Sequence, residues 1–140
     1  MGPLAAIAPL MLLLAACGSD DVDSGGITPE PADLDGGIYQ STDVTGHDLA
    51  SGSMITLDFK SETMAVRAGC TTQTADYEVT DETLRWSGPA AAPSKTCSQE
   101  LEEQDRWLSN LFTSGVTASL DDSTLTLDND DVTIVLESTK

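Results

Sequence analysis

The stretch Met54-Ile55-Thr56-Leu57-Asp58-Phe59 puts Ile55, Leu57 and Phe59 on one side of an extended chain and Met54, Thr56 and Asp58 on the other. Successive side chains of a strand point to opposite faces, so this alternation predicts a half-buried strand rather than a helix. The pattern continues down the chain. Met64 and Val66 repeat it. Tyr77 with Val79, and Leu84 with Trp86, flank Asp81-Glu82 and predict a hairpin. Val116, Ala118 and Leu120 alternate up to Asp121-Asp122, and Leu125 and Leu127 up to Asn129-Asp130-Asp131. Val132, Ile134 and Leu136 close the series. Short strands joined by short turns pair antiparallel, because a parallel neighbour needs a long crossover.

One segment has another period. Between Ser98 and Ser114, Leu101, Trp107, Leu108, Leu111 and Phe112 fall on one face of a helical wheel. Ser98 suits an N-cap, Glu100 and Glu102 suit the positive end of the helix dipole, and Gly115 suits its stop. Trp107 and Phe112 are expected in the core, since aromatic residues are only 4% of the chain and few others can fill it. The predicted class is α+β, mainly β: a curved antiparallel sheet, a partial barrel, wrapped around one amphipathic helix at about 98–114.

The start of the chain is different in kind. Residues 1–16 hold no charged side chain, and Leu10 to Leu14 form an apolar run too short to cross a bilayer. A secretory leader has this length. It ends in Leu14-Ala15-Ala16-Cys17, which resembles the lipobox of bacterial lipoproteins, where the cysteine is acylated and becomes the mature N-terminus. Residues 1–16 are therefore expected to be a signal peptide, with Cys17 lipidated and holding the protein to a membrane on its extracytoplasmic side. Residues 18–37 carry Asp20, Asp21, Asp23, Glu30, Asp33 and Asp35, no basic residue, and several Gly and Pro. That composition predicts a disordered acidic tether over 17–37. Asp21 to Gly26 do not make a calcium loop, since Ala32 stands where a bidentate Glu belongs.

Six of the 24 acidic residues lie in this tether. The other 18, with all 6 basic residues, lie in 38–140, the expected domain, at a net charge of −12. At −18 overall the chain would be repelled by nucleic acid, so a nucleic-acid partner is excluded. A basic protein partner would be favoured. Lys60, Arg67, Arg85, Lys95, Arg106 and Lys140 are scattered and build no patch.

Once Cys17 is assigned to lipid, Cys70 and Cys97 remain as a pair in an oxidising setting. A disulfide is the leading reading; free thiols, a thiol nucleophile or a metal site are the rivals. A nucleophile needs a base, and the single histidine, His47, lies in Gly46-His47-Asp48, which reads as a solvated turn. A zinc site wants four ligands, and two cysteines with one histidine fall short. No catalytic, cofactor or metal residues are expected.

The order of these features resembles the META, or HslJ-like, domain family over about residues 37–137. The resemblance runs through Gly37-Ile38-Tyr39-Gln40-Ser41-Thr42, a first strand ending near Gly46, then Ile55 to Phe59, Ala68-Gly69-Cys70, a second cysteine directly before the helix, and Leu125-Thr126-Leu127 before a last apolar strand. Thr71 stands where the family usually has Asn, and Ser94-Lys95-Thr96 replaces its Thr- and Met-containing lead into the second cysteine. The resemblance implies an exported or envelope-tethered protein linked with stress tolerance, in a family with no enzymatic activity established across it.

Two functions follow as expectations. The first is a non-enzymatic, lipid-anchored envelope protein that binds a partner or supports envelope stress tolerance. The alternative is an inhibitor of a cationic wall-lytic enzyme such as lysozyme, which a domain at −12 would meet quickly. A hydrolase is disfavoured: no Gly-x-Ser-x-Gly is present, and a triad would need His47, while an acid pair for glycoside hydrolysis has no fixed spacing and stays open.

Overall fold

The computed structural model describes residues 26–139. Eight strands pair in sequence order: β1 (Ile38–Thr45), β2 (Thr56–Lys60), β3 (Thr63–Arg67), β4 (Thr72–Thr80), β5 (Thr83–Trp86), β6 (Val116–Asp121), β7 (Thr124–Asp128) and β8 (Thr133–Ser138). All neighbours are antiparallel. The alternation drives each register. Leu57 sits opposite Val66, Phe59 opposite Met64, Tyr77 opposite Trp86, and Leu127 opposite Ile134. The inward set, including Ile55, Leu57, Phe59, Met64, Val66, Leu84, Leu125, Ile134 and Leu136, has no exposed surface.

The expected partial barrel is in fact closed. β1 pairs with β8 from Tyr39–Ser138 to Thr45–Thr133, with a bulge between Ser41 and Asp43. Closure leaves no unpaired edge, and eight strands enclose a space that side chains can fill. The sheet therefore closes on its own core, and the helix joins that core from one end. The narrow place is β5–β6, where only Thr83–Thr117 and Leu84–Val116 are in register.

Helix α2 (Gln99–Ser114) fills the sequence gap between these two strands. Ser98 caps it, its Oγ accepting from Leu101 N at 3.3 Å, and Gly115 ends it at φ +107°. Leu108, Leu111 and Phe112 enter the common core, with Phe112 5.7 Å from Trp86 between ring centres. Two polar groups fasten α2 to the loops around it. Gln104, only 4% exposed, accepts from Ala50 N at 2.6 Å and donates to Ala68 O at 2.7 Å. Asp105 Oδ2 accepts from Thr71 N and Thr71 Oγ1 at 3.1 and 2.7 Å. Thr71, at the position where the resemblance leads one to expect Asn, thus ties the β3–β4 loop to the helix.

The other end of the barrel is closed by residues that were expected to be a disordered tether. Of that expected tether, residues 26–37 pack against the strands, and 17–25 lie outside the described residues. Ile27 exchanges backbone hydrogen bonds with Leu120, on β6 beyond its last pairing with β5. The short helix α1 (Pro31–Leu34) starts with Pro at its first turn and a reciprocal cap between Glu30 and Asp33. Leu34 is fully buried. One leucine seated in the barrel mouth outweighs the polar, Gly- and Pro-rich composition around it, because a buried Leu side chain is worth about 1.5–3 kcal/mol. Gly36 N donates to Phe59 O and Phe59 N to Gly37 O, which stitch this segment to β2. Tyr39, Phe59 and Tyr77 pack beneath it edge-to-face, at 5.9 and 5.2 Å between centres. Burial, then Asp35 and Tyr39, push the Tyr77 hydroxyl up to about 12; burial and Asp33 raise Tyr39 as well.

Candidate functional site

The end of the barrel that carries α2 is built differently. The β1–β2 loop runs from Gly46 to Ile55 beside α2. Gly46, at φ +93°, lies against the Asp131 backbone, and a Cβ there would collide with its carbonyl. The loop can leave β1 in that direction only because residue 46 is glycine. His47 follows at once and lies flat on Trp107, with ring centres 3.6 Å apart and planes at 3°.

This stack corrects two expectations. His47 is half-buried rather than a solvated turn, and Trp107 packs against the core from its edge, half-buried, where Phe112 is fully buried within it. The reason is positional. Trp107 lies one residue outside the arc of Gln104, Leu108 and Leu111 that the barrel end covers, and the histidine covers it instead. No local pattern in the sequence relates positions 60 residues apart, so nothing short of the fold would reveal the pair.

Two clefts meet at His47. One, of about 500 Å³, is lined by Ser41 to Val44, His47, Asp48, Leu49, Ser53 and Met54. The β1 bulge turns its side chains toward this cleft, and Met54 is 45% exposed on its rim. The other, of about 180 Å³, is lined by His47, Asp48, Ala50, Glu100, Glu103 and Gln104. Glu103 accepts from Gln99 Nε2 at 3.0 Å, and Asp43 from Thr45 Oγ1 at 3.2 Å. The carboxylates of Asp48 and Glu100 have no hydrogen-bond or ion-pair partner among the described residues.

A disulfide between Cys70 and Cys97 holds this region together, with the Cα atoms 6.0 Å apart. Cys97 directly precedes the α2 cap and Cys70 lies in the β3–β4 loop, so the bond pins the start of the helix. Lys95 Nζ donates to Cys70 O at 3.2 Å, and Cys97 N to Glu102 Oε2 at 3.2 Å. The Arg85–Glu78 pair, on half-exposed side chains, is the one ion pair among the described residues. Cys17 and Lys140 lie outside those residues. Among the described residues no group of three or more His, Cys, Asp or Glu is placed to hold a metal ion. No helix among them is long and apolar enough to cross a membrane.

The META domain family model matches residues 32–140. The chain belongs to the META domain family. The match begins inside α1, in keeping with a domain that starts before Ile38. Among solved structures, this META domain is similar to an NMR structure of a protein from Burkholderia xenovorans, at 13% identity and a TM-score of 0.67, over 92% of this chain and 99% of that one. It is also similar to a second protein solved by NMR, at 19% identity and a TM-score of 0.59, over 76% of this chain and 92% of that one. At these identities the likeness concerns the fold alone. No curated protein matches the sequence.

Proposed function

We propose that this META-domain protein is a non-enzymatic binding module of the bacterial cell envelope, tethered to a membrane by lipid on Cys17. The observation that carries the binding reading is the pair of open clefts at the α2 end of the barrel, both lined by His47, whose ring stacks on Trp107. Anchoring is supported by the apolar leader that ends in Leu14-Ala15-Ala16-Cys17. The single histidine is engaged in a ring stack with Trp107. Both described cysteines are bonded to each other, so neither offers a thiol nucleophile. A contribution to envelope stress tolerance fits a small, disulfide-held domain displayed on a tether.

The test has two parts. Metabolic labelling with a fatty-acid analogue should tag the protein, and Cys17→Ser should abolish the tag; a tag that persists rejects the anchor. Deleting the gene should alter sensitivity to wall-active or hydrophobic drugs, and unchanged sensitivity would count against a role in the envelope.

A second reading, inhibition of a cationic wall-lytic enzyme, is favoured by Asp48, Glu100 and Glu103 around one cleft. Co-precipitation with lysozyme at low and moderate salt separates it from the first, and no binding at either salt disposes of it.

A further inference from the structure

Met54 is one of two large apolar side chains that stand substantially exposed among the described residues, and the other, Ile27, lies on the seam with β6. Met54 forms the rim of the larger cleft, with Leu49 and Val44 half-buried behind it. A thioether adapts its shape to what lies on it, which suits a contact surface better than a core. The smaller cleft shares His47 and Asp48 with the larger one and adds Glu100 and Glu103. Glu100 also suits the positive end of α2, which accounts for its place in the first turn. That role does not account for Asp48 on the facing loop or for the exposed Met54. An apolar rim beside unpaired carboxylates is complementary to a chain that alternates basic and apolar groups.

We infer that the paired clefts between the β1–β2 loop and the first half of α2 dock a basic protein segment. An apolar side chain of the partner rests on Met54 and Leu49, and a neighbouring Lys or Arg enters between Asp48 and Glu100. His47, backed by the ring of Trp107, lines both positions. This rests on the binding-module reading and gives it a location and a partner chemistry. A partner of this kind is brought in by the charge of the domain and held by the clefts, so charge and apolar contact contribute separately.

The test is a titration of the mature chain with a short synthetic peptide alternating Lys and Leu, read by tryptophan emission, since Trp107 lines the stack while Trp86 is buried. The cleft variant Asp48→Asn with Glu100→Gln is compared with a remote variant of equal charge, Asp121→Asn with Asp122→Asn, on exposed positions at the opposite end of the barrel. Affinity should fall about tenfold in the cleft variant and by much less in the remote one. Met54→Ser should weaken binding several-fold with no change in its salt dependence. Equal losses in the two charge variants would mean attraction by net charge alone and would overturn the cleft, while leaving the binding module standing. No binding of the basic peptide even at low salt would overturn the partner chemistry. Cleavage of the peptide by the purified chain would instead overturn the non-enzymatic reading on which the inference rests.

Discussion

The two ends of the barrel are closed by the same number of helices and to opposite effect. At the α1 end a four-residue helix sets Leu34 over Tyr39, Phe59 and Tyr77, and the backbone of residues 36–37 is hydrogen-bonded into β2. Ile27, bridged to Leu120, is the large apolar side chain left exposed there. At the α2 end a sixteen-residue helix is held by a disulfide, Gln104 and Asp105, yet two clefts that share His47 remain open, with a methionine and several carboxylates around them. A fold that seals one mouth with a single leucine has the means to seal the other. The open end is therefore the end to which a function should be traced. Four perturbations separate the ends.

The largest effect is expected from removing the disulfide with Cys70→Ser and Cys97→Ser. A loop of 27 residues is freed, which in the chain-entropy model costs about 3.5 kcal/mol. Chemical denaturation measures the loss, and Trp107 emission should change with it because the start of α2 is released. An unchanged emission with lowered stability would show that the bond does not hold the stack in place.

Next comes Leu34→Ala, which should lower stability by about 3 kcal/mol through the cavity it leaves in the α1 mouth. Affinity for the basic peptide should not change. A loss below about 1 kcal/mol would mean that residues 26–37 lie on the barrel without contributing to it.

The third perturbation is alkaline pH. The folded state keeps the Tyr77 proton up to about 12, whereas an unfolded chain gives it up near 10.0. Between these values the unfolded state binds fewer protons, so stability falls as pH rises, and Tyr39 adds to the same direction. Urea midpoints at pH 10 and pH 12 measure the slope, and Tyr77→Phe should flatten it. A slope that survives in that variant would place its source elsewhere.

The smallest effect is expected from His47→Ala. It removes a half-exposed stack and should cost about 0.5 kcal/mol. Trp107 emission should nevertheless shift, and peptide affinity should drop. This is the signature of the open end: large changes in binding for small changes in stability.

The contrast also marks what could be read from the chain alone. Strand alternation from Ile55 to Leu136, the helix between Ser98 and Gly115, and the cysteine pair rest on local patterns and simple counting, and these were legible. Closure of the barrel was not, because Tyr39 meets Ser138 only after the rest of the chain has folded between them. The α1 plug was hidden by composition. Asp33, Asp35 and the glycines read as tether, and one buried leucine is below what a composition argument can detect. Glu30-Pro31 with Asp33 was the available signal, a helix start written in three residues. The His47–Trp107 stack had no signal, since a lone histidine after glycine is more often a solvated turn. The elements that could not be read are those at the barrel ends, where contacts join distant parts of the chain.

The central claim is that the protein works by binding through the α2 end. The most direct test is amide chemical-shift mapping of the isotope-labelled mature chain during titration with the Lys–Leu peptide. The account expects the shifts to cluster at residues 41–54 and along the first half of α2, with residues 26–37 silent. Shifts centred on the α1 end, or spread evenly over the acidic surface, would contradict it.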